Sequence, residues 1–268
     1  MWNQLAKVHT WAAPHWVYWA FAIGGFIWLL YLWVTGPGRR HFAESQPATA
    51  AQHVYMTLGM LAYFFAFATP LDYLSDNFLF SAHMVQHMVE VSVMVPLLLK
   101  GLPNWLWSWA FSWAPFKKAF GAMVNPFVAL ITFMLIFDNF HWPVVYDLTL
   151  VSDPFHVTEH VLFFFAAAFL WWPVLSTHPD FPRIQADGLR ILYLFFGFDV
   201  MMPPAILILM WNHPLYSPYA DQPIRLFGLS PVSDQRLGSV IMILFGAISN
   251  GIAALTAFTR YDMSSWYS

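Results

Sequence analysis

Cysteine is absent from the 268 residues of the chain. Disulfides, thiolate metal sites and cysteine nucleophiles are therefore excluded. Charge is also scarce, since only 9% of the residues are Asp, Glu, Lys or Arg, against about 25% in a soluble domain. The formal net charge of −3 is too small to indicate nucleic acid or an acidic partner. Any soft metal ion must be held by histidine, methionine or carboxylate side chains.

Apolar residues are abundant, with 59% hydrophobic and 20% aromatic residues. This composition predicts an all-α, polytopic membrane protein that forms one helical domain over residues 1–268. Hydrophobic runs predict seven spans at about residues 16–34, 53–69, 80–99, 122–138, 156–175, 189–210 and 237–258. We expect the first to be a retained span, because no small-residue cleavage site follows it. Regularly spaced tryptophans predict either a helix on the membrane surface over 104–120 or a loop.

The basic residues predict an orientation. A seven-span topology places eight of the eleven Lys and Arg residues on one side: Arg39, Arg40, Lys100, Lys117, Lys118, Arg183, Arg190 and Arg260. That side, with the C-terminus, is predicted to be cytoplasmic, and the N-terminus to be outside. The same topology places eight of the eleven histidines at the outer face: His9, His15, His83, His87, His141, His156, His160 and His213. A solvated surface would scatter them more evenly.

The third span carries a polar stripe in an otherwise apolar helix. His83, His87, Glu90 and Met94 follow steps of four, three and four, which places them on one helix face. Placing an ionisable group inside a membrane costs free energy, so such groups are expected to have a function. Imidazole, carboxylate and thioether groups are all potential metal ligands. The alternative is a pair of buried histidines that hydrogen-bond to neighbouring helices. For Met94 alone, apolar packing is favoured.

The fifth span opens with a second histidine pair, His156 and His160, with Glu159 between them. The second histidine of each pair lies roughly 6 Å deeper than the first, at about 1.5 Å rise per residue. Four imidazoles would converge if the third and fifth helices are neighbours, which the chain order does not establish. His141, at the outer end of the fourth span, is a candidate fifth ligand or supporting residue. Its alternative is a histidine in an aromatic interfacial belt.

The sixth span has a carboxylate, Asp199, near its centre, followed by Met201, Met202 and two prolines. The prolines predict a break in the helix, and a broken helix with thioethers would suit transient Cu(I) binding. A hydrogen-bonded structural Asp199 is the alternative. With Glu90, Met94 and Glu159, these residues are candidates for a cation pathway or for supporting positions. Asp234 is expected to cap the seventh helix.

Together these motifs resemble the seven-helix CtaG family of cytochrome c oxidase assembly factors, the type found with caa-type oxidases. The matching segments are FSAHMVQHM at 80–88, PLLLKGLP at 96–103, HWP with YD at 141–147, HVTEH with WWP at 156–173, LY with Y at 215–219, and DQ with G at 234–238. The resemblance runs from about residue 50 to 250. It implies copper delivery to, or assembly of, a haem-copper oxidase in a bacterial or archaeal-type plasma membrane. The implied partners are oxidase subunits or a periplasmic copper carrier, and no enzymatic activity is implied.

Three hypotheses follow. The leading one is a copper-binding assembly factor with His83, His87, His156 and His160 as ligands and His141 in support. The second is a haem-binding electron carrier with axial histidines from two helices. Against it, haem pockets favour small residues beside the ligands, whereas Met84, Met88 and Val161 stand there. The third is a metal-free structural subunit of a respiratory complex.

Overall fold

The computed structural model describes residues 15–259, which form helices and loops without any strand. The all-helical prediction is therefore confirmed for this part of the chain. The helices are α1 (His15–Thr35), α2 (Ala50–Phe67), α3 (Pro70–Asn77), α4 (Phe80–Gly101), α5 (Asn104–Phe111), α6 (Ala114–Met123), α7 (Pro126–Phe140), α8 (Pro143–Val151), α9 (Asp153–Leu175), α10 (Asp187–Asp199), α11 (Met202–Met210), α12 (Ser217–Ala220) and α13 (Pro231–Phe258). Arg260, which was counted for the orientation, and His9, which was assigned to the outer face, lie outside the described residues.

Several segments are long and apolar enough to cross a bilayer. Within residues 15–259 there are five of them: Tyr18–Thr35, Phe80–Gly101, Asp153–Leu175, Asp187–Met210 and Pro231–Phe258. The pair α2 and α3, bent by 45°, and the pair α6 and α7, bent by 77°, also qualify if each pair is one span. The count is thus five, or up to seven, and indicates a multi-pass membrane protein.

The tryptophan-rich segment departs from the prediction of a single helix over 104–120. It forms two helices, α5 and α6, separated at Ser112–Trp113. Pro115 explains the break, because its ring would clash with the carbonyl group of Phe111 in a continuous helix. In the first turn of α6 the same proline is tolerated, since the missing N–H has no partner there anyway.

Helix α4 lies at the centre of the bundle. It packs against α2, α3, α9 and α13, and 67% of its span is buried, against 17–50% for the other four spans. The approach of α2 depends on Gly59, because a Cβ atom there would lie 2.7 Å from Leu98 Cδ2. The polar residues of α4 therefore face protein rather than lipid.

A π-helical turn over Glu90–Met94 interrupts α4. The indole Nε1 of Trp171 on α9 donates a hydrogen bond of 2.8 Å to the Val91 carbonyl group. This bond satisfies a carbonyl group within the irregular turn and ties α9 to α4. Met94 is the last residue of this turn and is buried in the hydrophobic core.

The start of α4 is capped by a residue from α13. The carboxylate of Asp234 accepts hydrogen bonds from the backbone N–H groups of Phe80 (2.7 Å) and Ser81 (3.2 Å). The expected role of Asp234, capping its own helix, was wrong: Ser230 caps α13 by accepting from Ser233 N at 3.1 Å. Asp234 lies one turn further on, so it faces the neighbouring helix and fixes α4 against α13.

Candidate metal centre

The two histidine pairs meet between α4 and α9. Their ring centroids are separated by 5.2 Å for His83–His156, 5.9 Å for His83–His160 and 5.0 Å for His87–His160. With metal–nitrogen bonds of about 2.0 Å, the rings of two imidazoles on one ion lie roughly 4.5–6 Å apart. All three separations fall within that range, so the structure brings the four rings together.

Four residues form what we call the histidine–glutamate site: His83, His156, Glu159 and His160. Each offers one potential ligand atom, and these atoms all lie within 4.8 Å of one another. His83 and Glu159 are fully buried, whereas His160 and His156 are 12% and 15% exposed. Three imidazoles and one carboxylate form a donor set that suits zinc, copper or iron.

Glu159 lies at the centre of this group, although the sequence suggested only a supporting position. Neither of its carboxylate oxygens has a partner that meets hydrogen-bond geometry among the described residues; the nearby Thr149 hydroxyl donates to the Tyr146 carbonyl group instead. The nearest nitrogens are His83 Nε2 at 3.8 Å and His87 Nε2 at 3.7 Å. Burying a carboxylate without compensation is costly, so a cation bound beside Glu159 would stabilise the folded protein.

His160 is oriented by Glu90. Its Nδ1 lies 2.7 Å from Glu90 Oε2; when Glu90 is ionised and the ring is neutral, Nδ1 carries the hydrogen and donates it to the carboxylate. Nε2 then has the lone pair and lies 3.0 Å from His156 Nε2. This nitrogen can accept a hydrogen bond from His156 or bind a metal ion. A carboxylate behind the ring is the usual support of a metal-binding histidine.

His83 is backed by two tyrosines. Its Nδ1 lies 2.8 Å from the Tyr146 hydroxyl and 3.2 Å from the Tyr219 hydroxyl. Tyr219 donates its only hydrogen to the Ser75 carbonyl group, and the two hydroxyls are 3.2 Å apart. His83 Nδ1–H can therefore donate to Tyr146, which donates to Tyr219. In that arrangement Nε2 of His83 is free to bind a metal.

Burial keeps both tyrosines neutral. It raises the pKa of the Tyr146 and Tyr219 hydroxyls well above the usual range, because a phenolate loses its hydration in an apolar environment. Both residues lie outside the candidate spans, in α8 and α12. They act as hydrogen-bond donors and acceptors rather than as anions.

His141 has different neighbours. Its Nδ1 lies 2.7 Å from the Phe137 carbonyl oxygen, and its Nε2 lies 3.4 Å from Met84 Sδ. Its ring centroid is 6.0 Å from that of His87. Both nitrogens of His87 are buried without a hydrogen-bond partner among the described residues. His141 is close to the cluster but does not belong to the histidine–glutamate site.

The structure places the other candidates elsewhere. Asp199 is exposed at the end of α10, which is broken from α11 as the prolines predicted. Met94 and Met201 are buried in the hydrophobic core, and Met202 packs against it. None of these four residues is brought into the histidine–glutamate site, because the cluster is built from the N-terminal halves of α4 and α9.

Sequence reasoning missed several neighbours of the site. Tyr146 and Tyr219 lie in segments that carry the family resemblance, but nothing in the sequence places their hydroxyls beside His83. Asp76, whose Oδ1 lies 3.7 Å from His156 Nδ1, sits in α3 and has no motif around it. For Met84, the sequence indicated only that its size beside the histidines disfavours a haem pocket.

Comparison of the chain with known proteins gives one informative result. No curated protein and no solved structure matches significantly. A family model described as cytochrome c oxidase caa3 assembly factor matches residues 29–262, and this range contains the whole metal-binding candidate cluster. The family is one of oxidase assembly factors, which suggests a non-catalytic role and a bacterial membrane location. The chain therefore belongs to the Caa3_CtaG family of cytochrome c oxidase assembly factors.

Proposed function

We propose that the protein binds copper at the histidine–glutamate site and takes part in supplying copper to a haem-copper oxidase during its assembly. The observation that carries the proposal is the group of four potential ligand atoms within 4.8 Å of one another. They come from two different helices inside an apolar bundle. Such a concentration of ionisable groups within membrane spans is expected only where it serves a function.

The donor set and the family together favour copper. Imidazole binds copper and zinc well, and a site with three imidazoles disfavours Ca²⁺ and Mg²⁺, which prefer oxygen ligands. Among divalent first-row ions, copper binds such ligands most tightly. A haem-copper oxidase requires copper, so an assembly factor that holds this metal has a client for it. Zinc is the competing ion that the test must distinguish.

We place the site near the outer face of the membrane. The basic residues put the beginnings of α4 and α9 on the outer side, and both histidine pairs lie in those first turns. His156 and His160 keep 15% and 12% of their side-chain surface exposed, which gives an ion a route into the site. Copper would be received from, or passed to, a partner on that side.

Elemental analysis of the purified protein tests the proposal. We expect about one copper per chain in the wild type after loading with Cu(II) and washing, and loss of this copper in His160→Ala and Glu159→Gln. His178→Ala is the matched control, because His178 is also a buried histidine but lies beyond the other end of α9. Equal copper in all four proteins, or zinc in place of copper, would contradict the proposal. A Soret band in the absorption spectrum would instead support haem.

A further inference from the structure

We propose a second metal site beside the histidine–glutamate site, formed by Met84, His87 and His141 and suited to Cu(I). We call it the sulfur site. It rests on the proposed function only because it assumes that the metal is copper. A thioether and two imidazoles form a softer donor set than the three imidazoles and carboxylate next to it, and soft ligands select Cu(I).

The first observation is the contact between His141 and Met84. A carbonyl oxygen can only accept a hydrogen bond, so the 2.7 Å contact with Phe137 O requires the hydrogen of His141 on Nδ1. In the neutral ring, Nε2 then carries a lone pair and lies 3.4 Å from Met84 Sδ. A thioether sulfur has no hydrogen to donate. Two lone-pair atoms therefore face each other, and a cation bound to both would stabilise the pair.

The second observation is His87, which is fully buried and has no hydrogen-bond partner for either nitrogen among residues 15–259. Its Nε2 lies 3.7 Å from Glu159 Oε1, which is too far for a hydrogen bond. A neutral imidazole carries a lone pair on one of its two nitrogens, so His87 is available as the third ligand.

The geometry between the rings fits a low-coordinate ion. The centroids of His87 and His141 are 6.0 Å apart, near the upper end of the roughly 4.5–6 Å range for two imidazoles on one metal. A separation near that limit corresponds to a wide nitrogen–metal–nitrogen angle. Met84 and His87 are three residues apart on α4, so their side chains lie on the same face of the helix.

Aromatic rings line part of the sulfur site. The rings of Phe163 and Phe137 lie with their centroids 4.7 Å from His87 and 4.3 Å from His141. Helix α13 holds Met84 in place, since a Cβ atom at Gly238 would lie 3.0 Å from Met84 Cγ. A site shielded by aromatic rings suits a monovalent ion with few ligands, because little charge has to be buried.

Cu(I) binding to the protein in nanodiscs under anaerobic conditions tests the inference. We expect the wild type to bind two Cu(I) per chain, and X-ray absorption at the copper edge to show copper–sulfur scattering. Met84→Leu keeps an apolar side chain of similar volume, and we expect it to bind one Cu(I) without that scattering. Met88→Leu is the matched control, since Met88 is equally buried one turn further along α4; it should behave as the wild type.

The two proposals fail in different ways. If the wild type binds one Cu(I) without sulfur scattering, and His160→Ala loses it, the sulfur site is wrong while the proposed function stands. If Met84→Leu keeps two Cu(I) and the sulfur signal, the sulfur site is also wrong. If the wild type binds no copper, both proposals are wrong. Retention of one sulfur-bound Cu(I) in His160→Ala would support the sulfur site directly.

Discussion

Buried histidines occur at both ends of α9, and their surroundings differ. His178, just beyond the C-terminal end, is 2% exposed, yet both of its ring nitrogens are used. Nδ1 accepts from the Asp180 backbone N–H at 3.2 Å, so Nε2 carries the hydrogen and donates to Ser108 Oγ at 3.0 Å. Phe111 packs against the ring. Within residues 15–259 His83 and His87, packed against the other end, keep three ring nitrogens without a hydrogen-bond partner.

The comparison separates a structural histidine from a binding one. At His178, the Asp180 N–H and the Ser108 hydroxyl satisfy both ring nitrogens, so the ring does not require a bound ligand. Burial also lowers the pKa of His178, which keeps the ring neutral. At and beside the histidine–glutamate site, nitrogens of His83 and His87 without a hydrogen-bond partner among the described residues lie near the Glu159 carboxylate, an arrangement that costs stability in the absence of a cation. Four predictions test this difference, from the largest expected effect to the smallest.

The largest effect is expected from removing a ligand. His83→Ala should weaken copper binding by more than the roughly 100-fold that loss of a supporting partner costs, because a bond to the metal is lost. His178→Ala should leave the affinity within about twofold of the wild type, since such a remote change does not couple to the site. Competition with a chelator of known affinity measures both. A similar loss in the two variants would mean that the effect is on folding.

The next effect concerns Glu90, which holds His160 through its Nδ1. Glu90→Leu removes the acceptor, and we expect a 10- to 100-fold loss of copper affinity with unchanged copper content at saturation. Glu90→Gln keeps an acceptor oxygen and should therefore lose less copper affinity than Glu90→Leu. If Glu90→Leu binds copper as the wild type does, the 2.7 Å contact does not orient a ligand.

In the metal-free protein, substitutions at Glu159 and at His178 should change the free energy of unfolding in opposite directions. Glu159→Gln removes a buried carboxylate whose oxygens make no well-formed hydrogen bond within residues 15–259, so we expect the free energy of unfolding to rise by about 1–3 kcal/mol. His178→Ala leaves the Asp180 N–H without its acceptor and removes the donor to Ser108 Oγ, which keeps its hydrogen bond to the Asn104 carbonyl group; it should lower the free energy of unfolding by about 1–3 kcal/mol. Unfolding in mixed detergent micelles after chelation measures both. A destabilised Glu159→Gln would show that Glu159 has a structural partner.

The smallest effect is expected at the ion pair between Lys117 and Asp180, 2.7 Å apart on the surface near His178. The hydrogen bond from Lys117 lowers the pKa of Asp180 below its ordinary value of 3.8. The contribution of this carboxylate to stability is therefore full above about pH 4 and is lost as the pH falls through the lowered pKa. Asp180→Asn should abolish this acid-side change in melting temperature and alter little at neutral pH.

Much of the fold could be predicted from composition and spacing. The apolar runs predicted the helical class and the approximate positions of the five candidate spans, because about 20 apolar residues are needed to cross a bilayer. The errors lie at the ends: α13 begins at Pro231 rather than near 237, since its first turns are polar. The π turn in α4 could not be predicted, because it depends on contacts such as that between Trp171 and Val91.

The candidate site was predicted in part. The spacing of four in each histidine pair follows from the helix period, so His83 with His87 and His156 with His160 were visible. Tyr146, Tyr219 and Asp76 were not, because their contacts with the histidines join residues far apart in sequence. Asp234 was assigned to the wrong helix for the same reason: a carboxylate near a helix start can cap its own helix or a neighbouring one.

The sequence by itself determined that this is a helical membrane protein with a histidine pair at a spacing of four near the start of each of two apolar helices, because helix period and bilayer thickness are local constraints. Only the tertiary structure decided that α9 packs against α4 so that those pairs face each other around Glu159. Packing between helices is set by side-chain shape over the whole bundle, and Gly59, Gly238 and Asp234 contribute to it from three other places in the chain. The same packing brings Met84 against His141, a contact that no spacing in the sequence records.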